Sequence, residues 1–148
     1  MNKNSWVNST TRLLASDSLS HPFIASVTKR EDFKVGIELE QFLVDSKTFK
    51  LLPFEGEKSI TSIFAEFQSQ YHWKAVEEQG KVIALERDEF SITLEPGGAF
   101  EFVSAPHRTV HEINAAIESF EAELSFILNK FKISAPVSYT HLTLPTKA

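Results

Sequence analysis

Two short stretches carry carboxylates at a spacing that can do chemistry: Val35-Gly36-Ile37-Glu38-Leu39-Glu40-Gln41-Phe42 and Ile92-Thr93-Leu94-Glu95-Pro96-Gly97-Gly98-Ala99-Phe100-Glu101-Phe102. Successive side chains of an extended strand point to opposite faces. Glu38 and Glu40 therefore share one face with Phe42 and Val44, while Ile37, Leu39, Gln41 and Leu43 share the other. In the second stretch the same alternation separates Thr93 and Glu95 from Ile92 and Leu94, and beyond the Pro96-Gly97-Gly98 turn it separates Glu101 from Phe100 and Phe102. If the apolar rows lie on a helix layer, Glu38, Glu40, Glu95 and Glu101 line the other face of the sheet. Their mutual repulsion is tolerable there in water or around a cation. Oxygen ligands of this kind suit magnesium or manganese. The chain has no cysteine and no paired-histidine spacing, which argues against zinc. The same alternation also describes an antiparallel sheet with one solvated face, where glutamate carries no function.

The elements that must position these acids follow from the pattern around them. Asp45-Ser46-Lys47-Thr48 supplies turn chemistry after the first strand, and residues 49–54 are expected to return as its hairpin partner. Ser59 is expected to cap a helix whose apolar positions Ile60, Ile63, Phe64, Phe67 and Tyr71 fall on one face. Residues 73–76, 81–86 and 90–95 read as an antiparallel meander. Thr109 and Glu112 have the spacing of a capping box, opening a helix with Val110, Ile113, Ile117, Phe120, Leu124, Ile127, Leu128 and Phe131 as its apolar stripe. The spacing thus predicts an α+β fold, an antiparallel sheet backed by helices on one face.

Other polar residues read as structural. His107 and His111 lie four apart, but the cap at Thr109 falls between them, so they do not share an established helical turn. Lys81 and Arg87 sit at strand ends as exposed turn charges, and His21 stands beside Pro22 in a Ser-rich arm. Pro96-Gly97-Gly98 is a turn first. No P-loop and no dinucleotide fingerprint is present. A net charge of −5 with mixed signs gives no footprint for nucleic acid. No stretch reaches membrane-spanning length and the N-terminus lacks the apolar core of a signal peptide, so no membrane partner is expected and the cytoplasm is the default location.

The first stretch, followed by Ile83-Ala84-Leu85-Glu86-Arg87-Asp88, by Ile92 to Glu101 and by Ser104-Ala105-Pro106, resembles the N-terminal part of glutamate–cysteine ligases of the plant and proteobacterial type. The Leu-Glu-Pro-Gly-Gly-x-Phe-Glu run is its most specific piece, and the resemblance covers residues 33–131. It implies a glutamine-synthetase-like catalytic fold, of which this chain would be part. It also implies an ATP-dependent ligase of glutathione biosynthesis, with ATP as co-substrate and magnesium or manganese held by Glu38, Glu40 and Glu101, and also Glu95. The implied chemistry is phosphorylation of the glutamate γ-carboxylate by ATP, then displacement of phosphate by the cysteine amine; none of the four glutamates need be a general base. Departures from the family pattern are Ala99 in place of Gln, Phe102 in place of Leu, and Val103-Ser104 before Ala105-Pro106. Ile37 and Leu39 stand where Thr and His are common, and Gln41 where Lys is frequent. These neighbours of the acids bear on the amino-acid substrate more than on the metal, leaving open a related carboxylate–amine ligase or a non-catalytic metal- or partner-binding fragment.

Three segments are expected: an N-terminal arm over residues 1–32, with a short helix around Leu13, Leu14 and Leu19; the front of a ligase-like catalytic domain over 33–136; and a tail over 137–148. The tail is Thr-rich and acid-free, follows no earlier period and resembles adapter-derived translation, so it is expected to be non-native. Alone, such a piece would be inactive.

Overall fold

The computed structural model describes residues 27–143, with the backbone alone described for 137–143. The expected helix of the N-terminal arm and His21 lie outside the described residues. The chain divides into two units, one of residues 1–33 with 147–148 and one of residues 34–146. In the first, the described part contains a 3₁₀ turn, Arg30–Asp32.

The second unit is built on six strands and two helices: β1 (Gly36–Asp45), α1 (Ile60–Tyr71), β2 (Lys74–Glu78), β3 (Lys81–Arg87), β4 (Phe90–Glu95), β5 (Ala99–Val103), α2 (Val110–Phe131) and β6 (Ile133–Thr143). The strands form one antiparallel sheet in the order β2-β3-β4-β5-β1-β6. The meander has the turns its sequence asks for. Gln79 and Gly80 both have positive φ between β2 and β3, as a two-residue hairpin loop requires. Between β4 and β5, Gly97 and Gly98 have φ of 94° and 82°, and a Cβ on either would meet nothing within 4 Å. These glycines serve backbone conformation, not close approach.

Both helices begin where the sequence places them. Ser59 accepts from Ser62 N at the start of α1. At α2, Thr109 Oγ1 accepts from Glu112 N, while the Glu112 carboxylate accepts from the N–H of Thr109 and of Arg108. Bonds from the Thr109 backbone and hydroxyl, and then from Arg108, hold the Glu112 carboxyl below its usual range.

The helices bury their apolar stripes against the sheet through a run of rings. Phe67 of α1 stacks on Phe120 of α2 at 6.1 Å and on Phe100 of β5 at 6.3 Å. Phe120 lies on Phe102 at 4.1 Å, and Phe102 continues to Phe90. Ile63, Leu85, Ile92 and Ile127 fill the space between, all fully buried. Val110 departs from its expected core position: it is 78% exposed on the first turn of α2, and Ile113 is the first buried residue of that helix. A second departure is Arg87, which is not a free turn charge. It reaches Tyr71 O and Glu123, lies 4.5 Å from the Trp73 ring centroid, and shares Glu123 with the Trp73 indole N–H.

The expected hairpin partner at residues 49–54 forms only in part: Asp45 N donates to Lys50 O and Leu52 N to Leu43 O, but no strand follows. That segment meets β1 only at the Val44–Leu51 bridge. The Asp45 carboxylate accepts from Lys47 N, Thr48 N and Thr48 Oγ1 and throws the chain into a tight turn, with Phe49 in left-handed backbone and Pro53 O turned to Ile60 N. The edges of β1 are taken instead by β5 and β6. Asp45 is also bound by Lys58, whose ammonium bonds Lys132 O at the end of α2, and its carboxyl is held far below the usual range, chiefly by Lys58. The composition break at Pro136 does not interrupt the ladder: β6 runs through it, pairing backbone with β1 from Asp45 back to Gly36. β-branched, acid-free sequence suits a strand beside an open edge whatever its origin.

The ring stack and the cap separate in size. Phe67→Ala should lower unfolding stability by about 3–5 kcal/mol and Thr109→Ala by about 1 kcal/mol, read from urea midpoints. Equal losses would contradict the placement of Phe67 at the centre of the core.

Candidate metal site

With Ile37, Leu39, Phe100, Phe102, Ile92 and Leu85 turned to the helices, the opposite face of the sheet receives the alternate residues. The register aligns them in rows. Glu40 stands opposite Glu101, which stands opposite Thr93. One row along, Glu38 pairs with Val103, Val103 with Ser91 and Ser91 with Glu86. On the other side Phe42 pairs with Ala99, and Ala99 with Glu95. Glu38, Glu40, Glu95 and Glu101 therefore all emerge on one face, drawn from β1, β4 and β5.

The four environments differ. Glu101 is 7% exposed, in the middle of the sheet, whereas Glu38 and Glu40 are half-buried and Glu95 is exposed at the β4 turn. Burial pushes the Glu101 carboxyl above its usual range, the charges of Glu95, Glu38 and Glu40 push the same way, and the bond from Thr93 opposes them. Like charges directly across a strand pair are destabilising. The donor chemistry fits a hard cation: oxygen-only groups with excess negative charge around a desolvated carboxylate. Among the described residues, no three acids or histidines converge closely enough to enclose a metal ion with the side chains as they stand.

Across the chain, residues 34–131 match the profile of glutamate-cysteine ligase family 2. The chain belongs to that family. It is 29% identical over 109 residues to glutamate–cysteine ligase B, chloroplastic, of Oryza sativa subsp. japonica, covering 74% of this chain and 21% of that protein. It is 33% identical over 98 residues to the chloroplastic glutamate–cysteine ligases of Arabidopsis thaliana and Brassica juncea, covering 66% of this chain and 18% of each. The chain spans about a fifth of the length of these curated relatives.

The fold divides the departures from the glutamate–cysteine ligase pattern into two groups. Ile37, Leu39, Gln41 and Phe102 lie on the helix side and are buried, so these changes bear on core packing; the expectation from sequence, that as neighbours of the acids they bear on the amino-acid substrate, is corrected for these four. Gln41 is the polar exception there, its Oε1 buried without a partner among the described residues. Ala99 and Val103 alone among the departures within β1 and β5 stand on the acid face.

The histidines do not form a pair. His107 bridges to Val35 through its backbone with its ring against Phe90, whereas His111 is exposed on the first turn of α2. A cavity of about 320 Å³ near His107 is lined by Val35, Ile37, Val110, Ile113 and Ile117, on the helix side, away from the acids. Sequence reading did not single out Glu86, Ser91 or Thr93. The signal was available: three residues between Glu95 and Ala99 fix the β4–β5 register, and counting back from that turn puts Thr93 opposite Glu101.

The Glu101 shift sets the sign of a pH effect. A carboxyl whose folded pKa is raised binds its proton more tightly in the folded chain, so stability falls as pH rises from the usual carboxylate range through the raised value. Glu101→Gln should raise the urea midpoint at pH 7, with the gain vanishing below the usual carboxylate range. A gain that grows on acidification would contradict the assignment.

Proposed function

We propose that the acid face is the divalent-cation and nucleotide half-site of an ATP-dependent ligase that joins the glutamate γ-carboxylate to the cysteine amine, the first step of glutathione biosynthesis. One observation carries this reading: the four glutamates of the family-matched segment share one face, and their charges converge on the buried Glu101. Glu38, Glu40, Glu95 and Glu101 would hold magnesium or manganese, which when bound supplies neutralisation of the triphosphate charge. The carboxylates hold charge in place and accept no proton from substrate. Their rigidity comes from the paired strands beneath them, which hold the half-site open on the side away from α1 and α2.

The open antiparallel sheet with both helices on one side supports a glutamine-synthetase-like arrangement. No helix among the described residues is long and apolar enough to cross a membrane. The cytoplasm is the location we infer, although the matched plant relatives are named chloroplastic. A related carboxylate–amine ligase with another substrate pair is the second reading, supported by apolar Ala99 and Val103 among the acids.

Titration calorimetry of magnesium and ATP, beside a Glu38→Gln, Glu40→Gln double variant, tests the half-site. Magnesium-dependent ATP binding by the unsubstituted chain should weaken by about tenfold or more in the double variant. Equal affinity in the two proteins, or no magnesium-dependent binding by the unsubstituted chain, would contradict it.

A further inference from the structure

We propose that Thr93 is the positioning residue for the Glu101 carboxylate, a role that rests on the metal-site reading above. Thr93 stands directly opposite Glu101 in the β4–β5 register, and its Oγ1 donates to Glu101 Oε2 at 2.8 Å. Across the other edge of β5, Glu101 stands opposite Glu40, so the three residues form one row over three hydrogen-bonded strands.

The geometry suits positioning more than packing. Glu101 is buried, and its side chain has several torsions that repulsion from Glu40 would otherwise scatter. The Thr93 side chain is β-branched and stiff at χ1, on a backbone paired with β5 and next to Ile92, which pairs with both β3 and β5. Its hydroxyl therefore presents a donor from a defined point. An ionised carboxylate offers about four lone-pair sites. One bond from Thr93 fixes the group and leaves the remaining sites for a cation. Thr93 itself is not a ligand in this arrangement; it acts through Glu101, as partners of metal-binding carboxylates do.

Manganese is the probe, titrated calorimetrically into the unsubstituted chain and into Thr93→Val, Thr93→Ser, Glu101→Gln and the Thr93→Val, Glu101→Gln double variant. Valine keeps the branched shape, so thermal unfolding should report an intact fold. The expected result is about tenfold weaker manganese binding in Thr93→Val, near-original binding in Thr93→Ser, and no additional loss when Thr93→Val is added to Glu101→Gln. Unchanged affinity in Thr93→Val, with Glu101→Gln weakened, would overturn the role of Thr93 and leave the metal site standing. An equal loss from Thr93→Val with and without Glu101 would also overturn it, since the effect would not pass through that carboxylate. Glu101→Gln binding as the unsubstituted chain does, or no manganese binding at all, would overturn the metal reading and the proposal together.

Discussion

The stack of Phe67, Phe100, Phe120 and Phe102 between sheet and helices fixes which face of β5 and, through the register, of β1 and β4 is turned away from the core. Successive side chains of β5 alternate, so once Phe100 and Phe102 are committed to α1 and α2, Glu101 between them has no choice of side. The β4–β5 turn and the β1–β5 register then carry the same choice to Glu95, Glu40 and Glu38. A one-residue slip of β1 on β5 would turn Glu38 and Glu40 under the helices, and one of β4 on β5 would turn Glu95, at a cost of several kcal/mol for each ion. Hydrophobic packing on one face thus places the charged groups on the other.

The concentration of acids is a cost that the structure meets only in part. Thr93 satisfies one oxygen of Glu101, and partial burial keeps water near Glu38 and Glu40, but Glu101 remains a desolvated carboxyl beside like charges. A protein that used this face only for solubility would gain by replacing Glu101 with a neutral residue. The cation site proposed above would give that charge a use.

Much of this was legible in the sequence because it depends on local rules. The capping box at Thr109 and Glu112, the Ser59 cap, the meander and the shared face of the four glutamates each follow from short spacings, and each stands in the structure. What was not legible depends on partners distant in sequence. Residues 49–54 carry strand-like composition, yet beyond the Val44–Leu51 bridge they lose that edge of β1 to β5, a strand distant in sequence. Arg87 looks like a turn charge until α2 brings Glu123 to it. Ile37 and Leu39 seem to neighbour the acids in sequence, but the alternation that separates them from Glu38 and Glu40 puts the sheet between.

Paramagnetic broadening of backbone amide resonances by substoichiometric manganese tests the central claim most directly. A cation held by the acid row predicts broadening centred on residues 38, 40, 95 and 101, extending to Thr93, and leaving the core side of α1 sharp. Broadening centred instead on the Asp45 turn or on the Glu55–Glu57 loop, with β5 unaffected, would contradict it.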